Sequence, residues 1–175
     1  MLSIKKLFVV SLTLLVVSCA NIPIATMLER SVARGELLPR HRSPGACALG
    51  GLEAGFDAVY GYMTNNTYSS TWMRNDAALL IVFVSDEPEQ SNQYMSTTSE
   101  FITWITTYRQ NVFVASIVNI DPPETLCNHS GQNTGQKYID AANYFNGQIV
   151  DICSQDWTAG VTDASNQTEP YEKWP

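Results

Sequence analysis

The chain has 175 residues, 45% of them hydrophobic and 15% charged, with a formal net charge of −7. That length is enough for one ordinary domain with a real core. The acidic balance argues against a nucleic-acid partner and against an electrostatic grip on anionic lipid.

Lys5 and Lys6 open the chain as a short positive region, and Leu7 to Val17 is apolar except for Ser11 and Thr13. This run has the length of a secretory-signal core and falls short of the about 20 residues that span a bilayer. It ends in Val16-Val17-Ser18-Cys19, which resembles the bacterial lipobox. The resemblance implies that residues 1–18 are a lipoprotein signal peptide cut before Cys19. It also implies that Cys19, through its sulfur, carries the lipid, palmitate included. Ala20, a residue other than Asp, resembles the signal that sorts such proteins to the outer membrane of the cell envelope. Losing Lys5 and Lys6 takes the formal charge from −7 to −9. Attachment to the membrane then rests on the acyl chains, whose affinity grows with each buried methylene.

Residues 19–47 read as a linker with a short helix, carried by Ile24, Met27, Leu28 and Val32 and ended at Gly35. Pro39 to Gly45 reads as a solvated loop. From Ala48 onward, Leu49, Leu52, Phe56, Val59 and Met63 recur at helical spacing. Ala77 to Val84 is apolar without alternation, as in a strand covered on both faces of a parallel sheet. Thr97 and Glu100 predict a capping box for a helix bearing Phe101, Trp104, Ile105 and Tyr108. Val112 to Val118 reads as a second buried strand. After a long loop, Tyr138, Ala141, Ala142 and Phe145 predict a third helix with Gly147 as its C-cap. Gln148 to Ile152 reads as a short third strand, and residues 158–175 as a loose C-terminal tail. Alternating helices and strands predict an α/β fold: a partial Rossmann-like three-layer sandwich with about three parallel strands.

The chain has four cysteines. With Cys19 lipidated, Cys47, Cys127 and Cys153 remain, and three pairings are open. A bridge between Cys127 and Cys153 would stabilise the fold by about 3–4 kcal/mol through loop entropy. Metal ligation by these cysteines finds no support, since there is no C-x-x-C pair and His41 and His129 lie at no familiar spacing.

Gly51-Leu52-Glu53-Ala54, a helix, and then Leu79 to Val84 ending in Ser85-Asp86-Glu87 resemble the second half of a von Willebrand factor A-like domain. The likeness is to the A-like domains of bacterial surface lipoproteins. Tyr138 to Ala142, continuing through Gly147 to Cys153, is similar to the last helix and strand of that group. The resemblance spans residues 48–157, a partial domain lacking the first three strands, and it implies a Cys127–Cys153 disulfide. It also implies that Asp86 sits at one ligand position for a divalent cation, Mg²⁺. The other ligands of that site are missing: there is no Asp-x-Ser-x-Ser, and Gly45 to Gly50 carries no hydroxyl. A three-stranded sheet would leave the Leu79–Val84 strand with an open, apolar edge.

The expected function is therefore a membrane-anchored lipoprotein whose degenerate A-like domain makes non-enzymatic contact with a protein partner. One alternative is a vestigial or structural fragment without a ligand. The other is an envelope hydrolase, which would need a nucleophile, a base and an orienting acid. The chain has no Gly-x-Ser-x-Gly elbow to supply the nucleophile.

Overall fold

A computed structural model describes residues 53–65, 78–121, 125–126 and 133–168, and the backbone of residues 13–18. The strands are β1 (Thr13–Ser18), β2 (Leu79–Ser85), β3 (Val112–Val118) and β4 (Ile149–Asp151). The helices are α1 (Gly55–Asn65), α2 (Thr98–Tyr108), α3 (Gln136–Tyr144) and α4 (Thr158–Asn166). The strands form one parallel sheet in the order β1-β2-β3-β4. The fold is the expected α/β sandwich, and its three predicted strands are β2, β3 and β4.

β2 is buried along its whole length, as its unbroken apolar run requires. Its side chains alternate between two cores. Leu79, Ile81 and Phe83 join Phe56, Val59, Phe101, Ile105, Tyr138 and Ala141 from α1, α2 and α3. Leu80, Val82 and Val84 join Ala115, Ile117, Ile152 and Ala164 on the opposite face, where α4 packs. The rings of Phe56 and Phe101 stack at 4.4 Å, and Phe83 meets both edge-on.

Several local expectations hold in detail. Thr97 Oγ1 accepts from the Glu100 N–H, and Glu100 Oε2 accepts from the Thr97 N–H, closing the capping box. Thr103, Thr106 and Thr107 are exposed, and the last two donate to carbonyls one turn back. That bonding is how β-branched hydroxyl residues are tolerated in a helix.

Three expectations are corrected. α1 starts at Gly55, so Glu53 and Ala54 precede it, while Leu49 and Leu52 lie outside the described residues. At the end of α3, Asn146 is the residue in the left-handed region, with φ 53°. The Asn146 N–H reaches Asn143 O and the Gly147 N–H reaches Ala142 O, a Schellman arrangement. Gly147 is needed for another reason: a Cβ there would lie 1.6 Å from the Val114 carbonyl oxygen. The stretch after residue 158 is not all tail, because α4 forms there and buries Ala164, with Thr168 buried just beyond it.

Of residues 1–18, expected as a leader, the structure describes Thr13–Ser18. In the full chain Thr13–Ser18 pairs with Leu79–Val84 as a parallel edge strand, in register from Thr13↔Leu79 to Ser18↔Val84. The β2 edge that would stand open in a three-stranded sheet is thus covered. The linker 19–47 and its short helix lie outside the described residues, as do Cys19, Cys47 and Cys127.

Candidate functional site

Two places on the folded body concentrate polar or exposed aromatic chemistry. The first is the C-terminal end of β2 with the loop that follows. Glu53 is buried beside it, and its Oε2 accepts from Ser85 Oγ at 2.9 Å. The Glu53 carbonyl takes the Gln90 N–H at 2.7 Å, tying the loop to the entrance of α1. Asp57, buried in the first turn of α1, collects four backbone donors from that loop. Oδ2 accepts from Asn92 and Gln93 at 3.0 and 2.8 Å, and Oδ1 from Tyr94 and Met95 at 2.9 and 3.0 Å. The Asp57 N–H in turn reaches Ser91 Oγ at 2.9 Å.

Glu89 lies in the same loop, 4% exposed. Its Oε1 accepts from the Ser91 N–H, while Oε2 is buried without a hydrogen-bond partner. Burial pushes this carboxyl above the ordinary range, against the lowering effects of Ser91, of Lys137 and of the Phe56 backbone. Glu100, fully exposed, is shifted the opposite way: the Ser96 N–H and hydroxyl, then Thr97, hold its carboxyl below the usual value.

Asp86, expected as a ligand position, is exposed. Its carbonyl accepts from Asn119 Nδ2 at 2.6 Å. The neighbouring Ser85 hydroxyl is already bonded to Glu53 Oε2 and Glu87 O. No group of three or more His, Cys, Asp or Glu side chains among the described residues is placed to hold a metal ion. The described residues do not assemble an oxygen cage suited to Mg²⁺. The chain here is organised by backbone donors instead. Gly45 to Gly50, His41 and His129 lie outside the described residues.

At the edge of the sheet, Asp151 holds a second loop. It accepts from Thr125 Oγ1 at 3.2 Å, from the Leu126 N–H at 2.6 Å and from the Cys153 N–H at 3.0 Å. Cys153 is exposed.

The second place is an aromatic strip on the outer faces of α1 and α2. Tyr60 stacks on Tyr94 at 4.5 Å and lies 5.1 Å from Trp104, and Trp104 lies 5.5 Å from Tyr108. Tyr94 is 44% exposed and Tyr108 43%. Tyr108 Oη donates to Met63 O, and the Arg109 guanidinium lies 5.8 Å from its ring centroid. Trp104 and Tyr108 stand out in sequence as a helical pair four apart. Tyr60 joins them from α1 through its contact with Trp104, and Tyr94 through the loop that Asp57 folds back onto α1.

Comparison with family models, curated proteins and solved structures finds no match. Among the described residues no helix is long and apolar enough to cross a membrane.

Proposed function

We propose that the protein is a bacterial lipoprotein, cut before Cys19 and lipid-anchored there, facing the cell envelope at the outer membrane. Its α/β body, a degenerate A-like domain, serves non-enzymatic contact with a protein partner. The Val16-Val17-Ser18-Cys19 sequence supports the anchor. The observation that carries the contact reading is the strip of Tyr60, Tyr94, Trp104 and Tyr108, in which the exposed rings of Tyr94 and Tyr108 are held by ring contacts to the partly buried Tyr60 and Trp104. Large amphipathic rings with little rotamer freedom supply contact area at low entropic cost, as interface anchors do. Aromatic area also suits an acidic protein whose field repels anionic surfaces.

The Cys127–Cys153 pairing belongs to the same proposal. Hydrogen bonds from Thr125 and Leu126 to Asp151 bring the chain just before Cys127 beside the chain just before Cys153.

Mass spectrometry of the protein from its bacterial host tests the anchor. The expected N-terminus is acylated Cys19, and Cys19→Ser leaves the precursor uncut. An unmodified peptide starting elsewhere removes the lipoprotein reading. Crosslinking in intact cells tests the contact. A discrete adduct lost on Tyr94→Ala and Tyr108→Ala, with an unchanged melt, supports it. An adduct that survives both changes removes the strip as the contact surface, and the lack of any adduct leaves the anchored remnant as the better description.

A further inference from the structure

We propose that the edge of β2 covered by Thr13–Ser18 is a strand-acceptor site. After removal of residues 1–18 it takes an extended, uncharged apolar segment of a partner polypeptide, added in parallel. This inference rests on the proposed cleavage before Cys19. The structure supplies the geometry: six consecutive residues of β2, Leu79 to Val84, are paired with β1, and Ser18, the last of these partners, immediately precedes Cys19. Cleavage there removes the whole strand and nothing of the remaining sheet.

The exposed edge would be costly. In the full chain β1 covers this edge, and its loss leaves a row of β2 backbone N–H and C=O groups without their strand partner between two apolar faces. A long, flat, apolar edge is also the kind that pairs with whatever strand it meets. The occupant is constrained by what fits in the full chain, the segment Thr-Leu-Leu-Val-Val-Ser, extended and parallel to β2. Main-chain pairing of this sort gives affinity without demanding particular side chains. A second copy offering its own β2 edge about a two-fold axis would run antiparallel, unlike β1. The observed direction therefore favours a donated segment over self-pairing. Residues 13–18 would then have two exclusive fates, membrane-directed leader or sheet strand.

The test uses the full chain with a specific protease site inserted between Ser18 and Cys19, and with Cys19→Ser to prevent acylation. The protein is folded, cut, and mixed with a fluorescent peptide of residues 7–18. The expected result is 1:1 incorporation by the cut protein and about tenfold weaker uptake by the uncut protein. A peptide carrying both Leu15→Pro and Val16→Pro lacks a ladder N–H whichever of the two faces β2. It should bind about tenfold more weakly than the unaltered peptide.

A second arm places the same two prolines in the full chain and follows hydrogen exchange. The Leu79–Val84 amides should lose protection and regain it when the unaltered peptide is added. The proposal is overturned by a cut monomer that sheds residues 1–18 with no change in melting, by dimerisation in place of peptide uptake, or by equal binding of the proline peptide. Aggregation on cutting that the peptide does not prevent also overturns it. A host-cell N-terminus other than Cys19 would refute the processing reading while leaving the exchange result standing.

Discussion

Asp57 and Glu89 are two buried carboxylates at the same end of the sheet, both tied to the loop after β2, and their surroundings differ sharply. Asp57 has both oxygens occupied, two backbone N–H groups on each. Glu89 has one oxygen bonded and the other buried bare, and its carboxyl is shifted upward by burial. Burial sets the cost of a charge, and the number of donors aimed at it decides whether that cost is met. One residue is a structural clamp, while the other is a weak point whose effect depends on pH.

The contrast is broken most severely at the clamp. Asp57→Ala strips four donors of their acceptor and should destabilise the domain by about 3 kcal/mol, roughly 10 °C in melting temperature. Calorimetry at neutral pH checks this. Tyr94 should also leave its stack on Tyr60, visible as loss of near-UV circular dichroism. A variant that melts within a degree of the parent would show that the loop holds without its carboxylate.

Glu89→Gln sharpens the comparison through pH. With its folded-state carboxyl raised, the native protein holds a proton that the unfolded chain releases. Stability from this group is therefore present below the unfolded value of about 4.5 and is lost as pH rises through the folded value. The variant should match the parent near pH 4 and melt higher by about 3 °C at neutral pH. Parallel melting curves across that range would contradict the assignment.

Glu100→Gln gives the smallest effect, because this carboxylate is exposed and screened. Its lowered folded value means its contribution is present above the unfolded value and fades as pH falls through the folded one. The variant should melt about 1 °C below the parent at neutral pH and converge with it in acid. A loss that grows in acid would contradict the capping-box account.

Local chemistry made much of the fold legible. The capping box of Thr97 and Glu100, the apolar runs of β2 and β3, and the core positions Phe56, Val59, Phe101, Ile105 and Tyr138 follow from spacing and residue type. The candidate site was far less legible. Asp86 was readable as a strand-end acid, and the sequence already lacked the other ligands of that site; among the described residues no group of three His, Cys, Asp or Glu forms. The donors that converge on Asp57 lie 35 to 38 residues away in sequence, and no local pattern encodes that distance. Tyr94 reaches the aromatic strip through the same fold-back.

What the sequence determined by itself is the alternation of helices and strands and the parallel character of a sheet buried on both faces. Periodicity is local, and these features are written in it. Only the tertiary structure decided that Asn146 turns the chain while Gly147 makes room for Val114, and that Thr158–Asn166 folds onto the second face of the sheet. Only it decided, too, that Thr13–Ser18, just before Cys19, is a strand in the full chain. Leu14 to Val17 is apolar enough for a leader core and β-branched enough for a strand. What separates the two is the edge of β2, more than sixty residues further on.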